Sequence, residues 1–114
     1  MKTKAELIQE YKSRKPIAGV YQIKNLISGK MLIEASSDMP AKMNRHRAEL
    51  KFGSHRNKVL QQDWNTAGEE NFDISIISQV PFKEGDNQLY LERDAKMMLD
   101  LLEEKLGLGD EMRY

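Results

Sequence analysis

Three side chains in the first half of the chain have the types and the spacing to act on a phosphate group. Tyr21 lies in a run of strand-forming residues, where its hydroxyl could bind a ligand at the rim of a sheet. Lys42 and His46 are four residues apart, so on a helix they share a face and could bind a phosphate together. The alternatives are a half-buried strand tyrosine, a solvated lysine and a histidine packed against the sheet.

A set of basic side chains surrounds the start of another predicted helix. Ser54 is placed to cap this helix, and the next basic residues fall in its first turns. A helix N-terminus has free N–H groups, so cations beside it favour phosphate binding. We interpret six side chains as a nucleic-acid-binding surface, with ordinary solubilising charge as the alternative. They are Arg45, Arg47, Lys51, His55, Arg56 and Lys58.

The net charge is zero, but the two halves of the chain are oppositely charged. Residues 1–60 contain 13 Lys and Arg against 5 Asp and Glu, a net charge of +8, and residues 61–114 have the reverse, −8. A basic face can therefore meet phosphates, unless the halves neutralise each other across the fold. The chain has no cysteine, which excludes disulfides and thiolate metal sites. It has neither a membrane-spanning run nor a secretory signal, so a cytoplasmic location is expected.

The elements that position these residues begin with a helix and a hairpin. A capping box at Thr3 predicts a first helix that ends before Pro16. Residues 19–25 and 30–35 predict two strands joined by a turn at Gly29. Strand alternation then places Leu32 and Glu34 on one face, so part of that face is expected to be polar or open.

The second half of the predicted fold contains three helices and one more strand. Ser37 or Asp38 caps a helix that runs to about residue 52, where Gly53 ends it. The Ser54-capped helix follows, with Trp64 in the core, and residues 72–77 alternate as a third strand. The last helix begins near Asp86. Its apolar stripe is Leu91, Ala95, Met98, Leu99, Leu102 and Leu106.

An ordered series of short motifs resembles the GIY-YIG nuclease family over about residues 16–106. It opens with Gly19-Val20-Tyr21-Gln22-Ile23-Lys24-Asn25 and Ser28-Gly29-Lys30, and continues through Arg45-His46, Gly53-Ser54-His55-Arg56-Asn57, Leu60-Gln61, Trp64-Asn65 and Gly68-Glu69-Glu70-Asn71-Phe72. The resemblance implies an α+β fold with a small three-stranded antiparallel sheet flanked by helices. It also implies hydrolysis of a DNA phosphodiester with a divalent cation, Mg²⁺ or Mn²⁺.

The family's catalytic residues are partly retained in this chain. In the family a tyrosine acts near the attacking water, and an arginine on the first helix after the hairpin neutralises the scissile phosphate. The tyrosine corresponds to Tyr21, the arginine falls on Lys42, and a histidine one turn later falls on His46. Lys42 keeps the charge but lacks the planar guanidinium that binds phosphate through two hydrogen bonds.

The second family motif and the metal ligand differ more strongly from the family pattern. The second tyrosine falls on Leu32, which has no hydroxyl, and the motif's glycine falls on Glu34, which could repel a phosphate or bind a metal. The metal-binding glutamate of the last helix falls on Asp94, one methylene shorter, with Glu34 or Glu92 as alternatives. Because groups that act as a unit fail together, these changes imply weakened or lost cleavage.

Three functions follow as hypotheses. The first is nucleic-acid binding with weakened or lost phosphodiesterase activity, with DNA as the expected partner and RNA as an alternative. The second is an active metal-dependent DNA endonuclease with a modified site. The third is a non-catalytic protein-interaction module or homodimer, in which the acidic last helix meets a basic surface. The expected organisation is a helix over residues 1–15, the GIY-YIG-like domain over residues 16–106 and a tail over residues 107–114.

Overall fold

A three-stranded antiparallel sheet with helices on both faces forms the fold. The computed structural model describes residues 17–81 and 87–114, so the predicted first helix and the predicted helix start near Asp86 lie outside the described residues. The sheet has the order β2-β1-β3, and short 3-10 turns at Glu69–Asn71 and Asp110–Met112 supplement the main elements. The elements in chain order are β1 (Gly19–Asn25), β2 (Met31–Ser36), α1 (Met39–Phe52), α2 (Lys58–Ala67), β3 (Phe72–Gln79) and α3 (Gln88–Leu106). The predicted fold class is confirmed.

The central strand β1 is held closely between its two neighbours. Gly19 begins it with φ of 154°, and a Cβ atom there would lie 2.1 Å from the carbonyl oxygen of Ser78 in β3. Only glycine allows this approach, since any side chain would force the two backbones apart. Tyr21 pairs with Glu34, as Ile23 pairs with Leu32, so the predicted shared face of Leu32 and Glu34 is confirmed.

Helix α1 begins and ends at the predicted residues. The carboxylate of Asp38 accepts the N–H of Ala41 as the N-cap, and Gly53 ends the helix with φ of 75°. A proline in the first turn costs no hydrogen bond, because the N–H groups there have no partner within the helix. Its buried side chains are Met39, Met43, His46 and Leu50. These residues recur every three to four positions, so His46 lies on the helix face that packs on the sheet.

Helix α2 begins later than predicted. The prediction that Ser54 caps it is wrong, because the side chain of Asn57 accepts the N–H of Leu60 and the helix starts at Lys58. Residues 54–57 instead form a loop that the side chain of Gln61 fixes, by accepting the N–H of His55 at 3.0 Å. This shift removes His55 and Arg56 from the first turn of the helix.

Two apolar layers cover the two faces of the sheet. On one face Leu50 of α1 and Trp64 of α2 pack with Ile23 and Phe72, which confirms the core position of Trp64. On the other face Leu91 and Ala95 of α3 are buried in a second cluster, and Met98 packs against it. The predicted stripe on α3 is therefore confirmed there, but its last member, Leu106, is 46% exposed. In the described part of the chain, no helix is long and apolar enough to span a membrane.

The last residues of the chain pack against the turn end of the hairpin. The N–H of Tyr114 donates to the carbonyl of Met31, and its hydroxyl donates to the carboxylate of Asp63 at 2.7 Å. The side-chain amide of Asn25 donates to the same hydroxyl. The tail therefore ties the turn after β1 to helix α2.

Candidate functional site

A carboxylate, Glu34, occupies the centre of the candidate site. The hydroxyl of Tyr21 donates to its Oε2 at 2.6 Å, and Nε2 of His46 lies 3.2 Å from the same oxygen. Nη2 of Arg56 donates to Oε1 at 2.7 Å. A strand, a helix and a loop therefore each direct one hydrogen-bond donor at one carboxylate.

A chain of hydrogen bonds behind Glu34 fixes the protonation of both histidines. The N–H of Asn57 donates to Nδ1 of His55 at 3.0 Å, so in neutral His55 the proton is on Nε2. That proton is directed at Nδ1 of His46, 2.8 Å away, and the proton of neutral His46 is therefore on Nε2. Nε2 of His46 lies 2.8 Å from the hydroxyl oxygen of Tyr21 and 3.2 Å from Glu34, so its N–H is shared between them, and the Tyr21 hydroxyl donates its own hydrogen bond to Glu34. Every donor in the chain thus points towards Glu34.

The electrostatics of the site follow from these contacts. The hydrogen bond from His46 holds the pKa of Glu34 down to about 2, against the opposing effect of burial. Burial and the neighbouring Glu34 carboxylate raise the pKa of Tyr21 well above its ordinary value. Burial lowers the pKa of His55, whose two ring nitrogens are both committed to hydrogen bonds. At neutral pH the site is therefore an ionised carboxylate that faces the Tyr21 hydroxyl, a ring nitrogen of His46 and the Arg56 guanidinium.

An open cavity of about 730 Å³ adjoins this carboxylate at the edge of β2. Glu34, Lys42 and Arg45 line one side, and Glu92 and Lys96 of α3 line the other. Asp38 lines the cavity as well, so three cations share its wall with three carboxylates.

Leu32, at the position of the second family tyrosine, contributes nothing polar to the site. It is partly buried and packs against the cluster that contains Ile23 and Trp64. Lys42 is exposed on α1 and lines a smaller cavity of about 60 Å³ together with Glu34 and His46. The structure thus brings Tyr21, Lys42 and His46 around Glu34, while the second family hydroxyl has no counterpart at Leu32.

The two candidate metal ligands of α3 lie on different sides of the helix. Asp94 is exposed and forms an ion pair with its neighbour Arg93 at 3.7 Å. Glu92 lines the large cavity, and one of its oxygens accepts the hydroxyl of Ser37 at 3.4 Å. Because residues two apart on a helix are about 200° apart around its axis, Asp94 cannot share this position. Of the two carboxylates, the geometry therefore favours Glu92 for any contact with a ligand in the cavity.

The donor set does not fit a resident divalent cation. Glu34 is the carboxylate beside Tyr21 and His46, and Arg56 already neutralises it, so a metal ion would have to displace a guanidinium. The other two carboxylates of the large cavity, Asp38 and Glu92, share it with Lys42, Arg45 and Lys96, whose charges oppose the binding of a cation. Among residues 17–81 and 87–114, no three His, Asp or Glu side chains are grouped as metal ligands.

The six predicted nucleic-acid-binding residues do not form one surface. Arg45 and Arg56 flank Glu34 beside the small cavity, and Arg56 is 75% exposed. Arg47 and Lys51 line a separate cavity of about 310 Å³ with Trp64. Lys58 is exposed in the first turn of α2. The predicted phosphate contact of His55 is wrong, because this side chain is 1% exposed and bonds His46.

Two roles at the site were missing from the sequence prediction. Gln61 accepts the His55 N–H and donates to the carbonyl of Leu50 at 2.9 Å, so it holds the loop of His55 against α1. His55 itself orients His46 from behind. The sequence does contain a signal for the burial of His55. This residue lies between Gly53, which ends α1, and Asn57, which caps α2, and so short a loop between two packed helices must turn inward.

Comparison with known proteins relates the chain to endonucleases. No family model matches the chain. The chain is 31% identical over 77 residues to Intron-associated endonuclease 1 of Enterobacteria phage T4, across 68% of this chain and 30% of that protein. The chain thus spans less than a third of the curated relative it matches.

The solved structures agree with this assignment. The catalytic domain of the homing endonuclease I-TevI has the same fold, with a TM-score of 0.64 and 24% identity over 85% of this chain and 95% of that chain. A glutamate-to-alanine variant of that domain matches with a TM-score of 0.55 and 27% identity over 79% of this chain and 88% of its own. By its sequence and its three-stranded fold, the chain belongs to the GIY-YIG nuclease family.

Proposed function

We propose that the protein binds nucleic acid, with DNA as its partner, and that its phosphodiesterase activity is weakened or lost. The proposal rests chiefly on one observation: the donors that would contact a phosphodiester, Tyr21, His46 and Arg56, are already bound to Glu34. The endonucleases to which the chain is similar support DNA as the partner class.

Cations beside the site supply the proposed attraction for DNA. Lys42 and Arg45 are exposed on α1, and Lys96 faces them across the cavity. An ammonium group such as that of Lys42 neutralises a phosphate as a point charge, while Arg45 can offer two parallel hydrogen bonds. These residues bind and position a backbone without reading its bases.

The same geometry opposes catalysis. A tyrosine that activates water must accept a proton, but the hydroxyl of Tyr21 donates to Glu34 and its pKa is raised. Glu34 also places a negative charge where a phosphodiester would approach, and Leu32 supplies no second hydroxyl. Each effect lowers the rate of phosphodiester cleavage. Together they account for a protein that binds DNA without cutting it efficiently.

A salt series tests the binding. We would measure the fluorescence anisotropy of a labelled DNA duplex and compare wild type with the double variant Lys42→Gln/Arg45→Gln. The matched control is Lys51→Gln/Lys105→Gln, which removes equal charge from the far side of α1 and the end of α3. The site variant should bind DNA more weakly, and its slope of log affinity against log salt should be smaller by about 1 to 2. The control variant should show a smaller change in both the affinity and the slope. Equal effects, or no binding at low salt, would exclude this surface.

A second candidate is an active endonuclease with a modified site. It is favoured by the contact between Tyr21 and His46, which brings two family residues together at 2.8 Å. Supercoiled plasmid incubated with Mg²⁺ or Mn²⁺ tests it beside Tyr21→Phe, because the chain's relatives are typically metal-dependent. Nicking that disappears in the variant would establish this candidate.

A third candidate is a protein-interaction module or homodimer. It is favoured by apolar side chains on the outer face of α3, where Met97 is 58% exposed and Leu101 is 67% exposed. Light scattering after size-exclusion chromatography measures the mass directly. A dimer that Leu101→Glu dissociates would support this candidate, and a monomer at high concentration would exclude the homodimer.

A further inference from the structure

The hydrogen bonds around Glu34 form a receptor for an anion. Both carboxylate oxygens are bound, Oε2 by the hydroxyl of Tyr21 and Nε2 of His46, and Oε1 by the guanidinium of Arg56. A hydroxyl, an imidazole and a guanidinium converge on one carboxylate group, as they would around an oxyanion. Glu34 itself comes from β2, whereas its three partners come from β1, α1 and the loop before α2.

The receptor does not depend on Glu34 for its shape. His55 fixes the ring of His46 through a 2.8 Å hydrogen bond, and Gln61 in turn fixes the backbone of His55. Tyr21 is fully buried in β1, between β2 and β3. These supports lie on the side away from Glu34, so the donors of Tyr21 and His46 stay in place when its side chain is removed. Preorganised donors of this kind bind an incoming anion with little loss of conformational entropy.

The position of the receptor makes it reachable from solvent. Glu34 lines the open cavity of about 730 Å³, and Lys42 and Arg45 line the path to it. The side chain of Glu34 is 25% exposed, and that of Arg56 is 75% exposed. The glutamate side chain has as many non-hydrogen atoms as inorganic phosphate. Its removal therefore leaves a space of about the size of a phosphate ion. A vacated site would therefore have the size, the charge and the access that phosphate requires.

We propose that Glu34 is a built-in occupant of an anion-binding site, standing where a phosphate group would bind to Tyr21, His46 and Arg56. The site is selective for a tetrahedral phosphate oxyanion once Glu34 is shortened, and it is closed to phosphate in the wild type. This inference deepens the proposed function and rests on it for biological meaning. Its test uses inorganic phosphate and no DNA, so the two can fail separately.

The test compares phosphate binding by Glu34→Ala and Glu34→Gly with wild type. We would titrate inorganic phosphate against chloride at matched ionic strength and follow the side-chain NMR signals of His46 and Arg56. The alanine and glycine variants should show saturable shifts and an apparent dissociation constant at least about ten-fold below that of wild type, because charge-assisted hydrogen bonds are recovered. Glu34→Gln should behave as wild type, because the amide still fills the site.

Two controls separate a vacated site from a change in charge. Glu49→Gln removes one negative charge beside the same small cavity but leaves Glu34 in place, so it should not gain phosphate binding. Glu34→Ala/Arg56→Gln should lose the gain, because the cation of the receptor is absent. Should Glu34→Ala be partly unfolded, phosphate must raise its melting temperature and not that of Glu34→Gln, since a ligand of the native state stabilises it. No phosphate-specific shift or stabilisation in either shortened variant, or equal gains in Glu34→Gln and Glu49→Gln, would overturn the inference.

Discussion

The acid stability of the protein should depend on Glu34 in a defined pH window. Its pKa is lowered from 4.5 to about 2 by the hydrogen bond from His46, with Tyr21 and Arg56 as further causes. A carboxyl whose pKa is lowered by folding stabilises the native state above its unfolded pKa and loses that effect as the pH falls through its folded pKa. The difference corresponds to about 3 kcal/mol, since one pKa unit is about 1.4 kcal/mol.

The variant Glu34→Gln isolates this contribution. At pH 7 it should lower the free energy of unfolding by about 2 to 3 kcal/mol, because a neutral amide replaces an ionised carboxylate facing three donors. Between pH 4.5 and pH 2 the gap to wild type should close, because the protonated carboxyl then resembles the amide.

Urea denaturation of wild type and Glu34→Gln at pH 7, 5, 4 and 3 measures the difference in their free energies of unfolding. The titration of all the groups that the two proteins share cancels in this difference. Glu49→Gln is the control, whose difference from wild type should stay within about 0.5 kcal/mol, as expected for an exposed ion pair with Arg45. A gap for Glu34→Gln that is as large at pH 3 as at pH 7 would refute the reasoning.

Three further substitutions test the packing that supports the site. Gly19→Ala should cost about 3 kcal/mol or more, because its Cβ would collide with the Ser78 carbonyl, and an unchanged urea midpoint would contradict this. His55→Ala should cost about 2 to 4 kcal/mol and broaden the NMR signals of the His46 ring, since it leaves a buried nitrogen without its partner; a sharp, unshifted ring signal would argue against the hydrogen-bonded chain. Tyr114→Phe should cost about 1 to 2 kcal/mol at pH 8. The pKa of Tyr114 is raised to about 12, chiefly by burial, so its contribution to the free energy of unfolding should be lost as the pH rises from 10 to 12. A Tyr114 phenol that titrates near pH 10 in the folded protein would contradict this pH dependence.

Much of the fold was predictable because its signals are local. Strand-forming residues define β1, alternating residues define β3, and the Asp38 cap and Gly53 define α1 within a few residues. The start of α2 was not predictable in the same way. Ser54 and Asn57 are both good caps, and the choice depends on a hydrogen bond between the His55 N–H and Gln61 that exists only once the helices pack.

Some contacts of the candidate site follow from the sequence pattern, and others do not. Tyr21 and His46 were expected together and lie in contact, because strand pairing and helix phase both follow from the sequence pattern. The bond between Glu34 and Arg56 depends on the path of a loop, which no periodicity describes. The choice between Glu92 and Asp94 depends on how α3 is rotated on the sheet, and the packing of Leu91 and Ala95 sets that rotation.

Single-turnover cleavage of fully bound DNA tests the central claim most directly. The assay would use labelled DNA at protein concentrations where anisotropy shows saturation, with Mg²⁺ or Mn²⁺ present, beside Tyr21→Phe. The claim that Glu34 occupies the donors of the candidate site predicts bound DNA that remains uncut, or is cut only very slowly, in the wild type. Rapid cleavage of the bound DNA by the wild type, abolished by Tyr21→Phe, would contradict it.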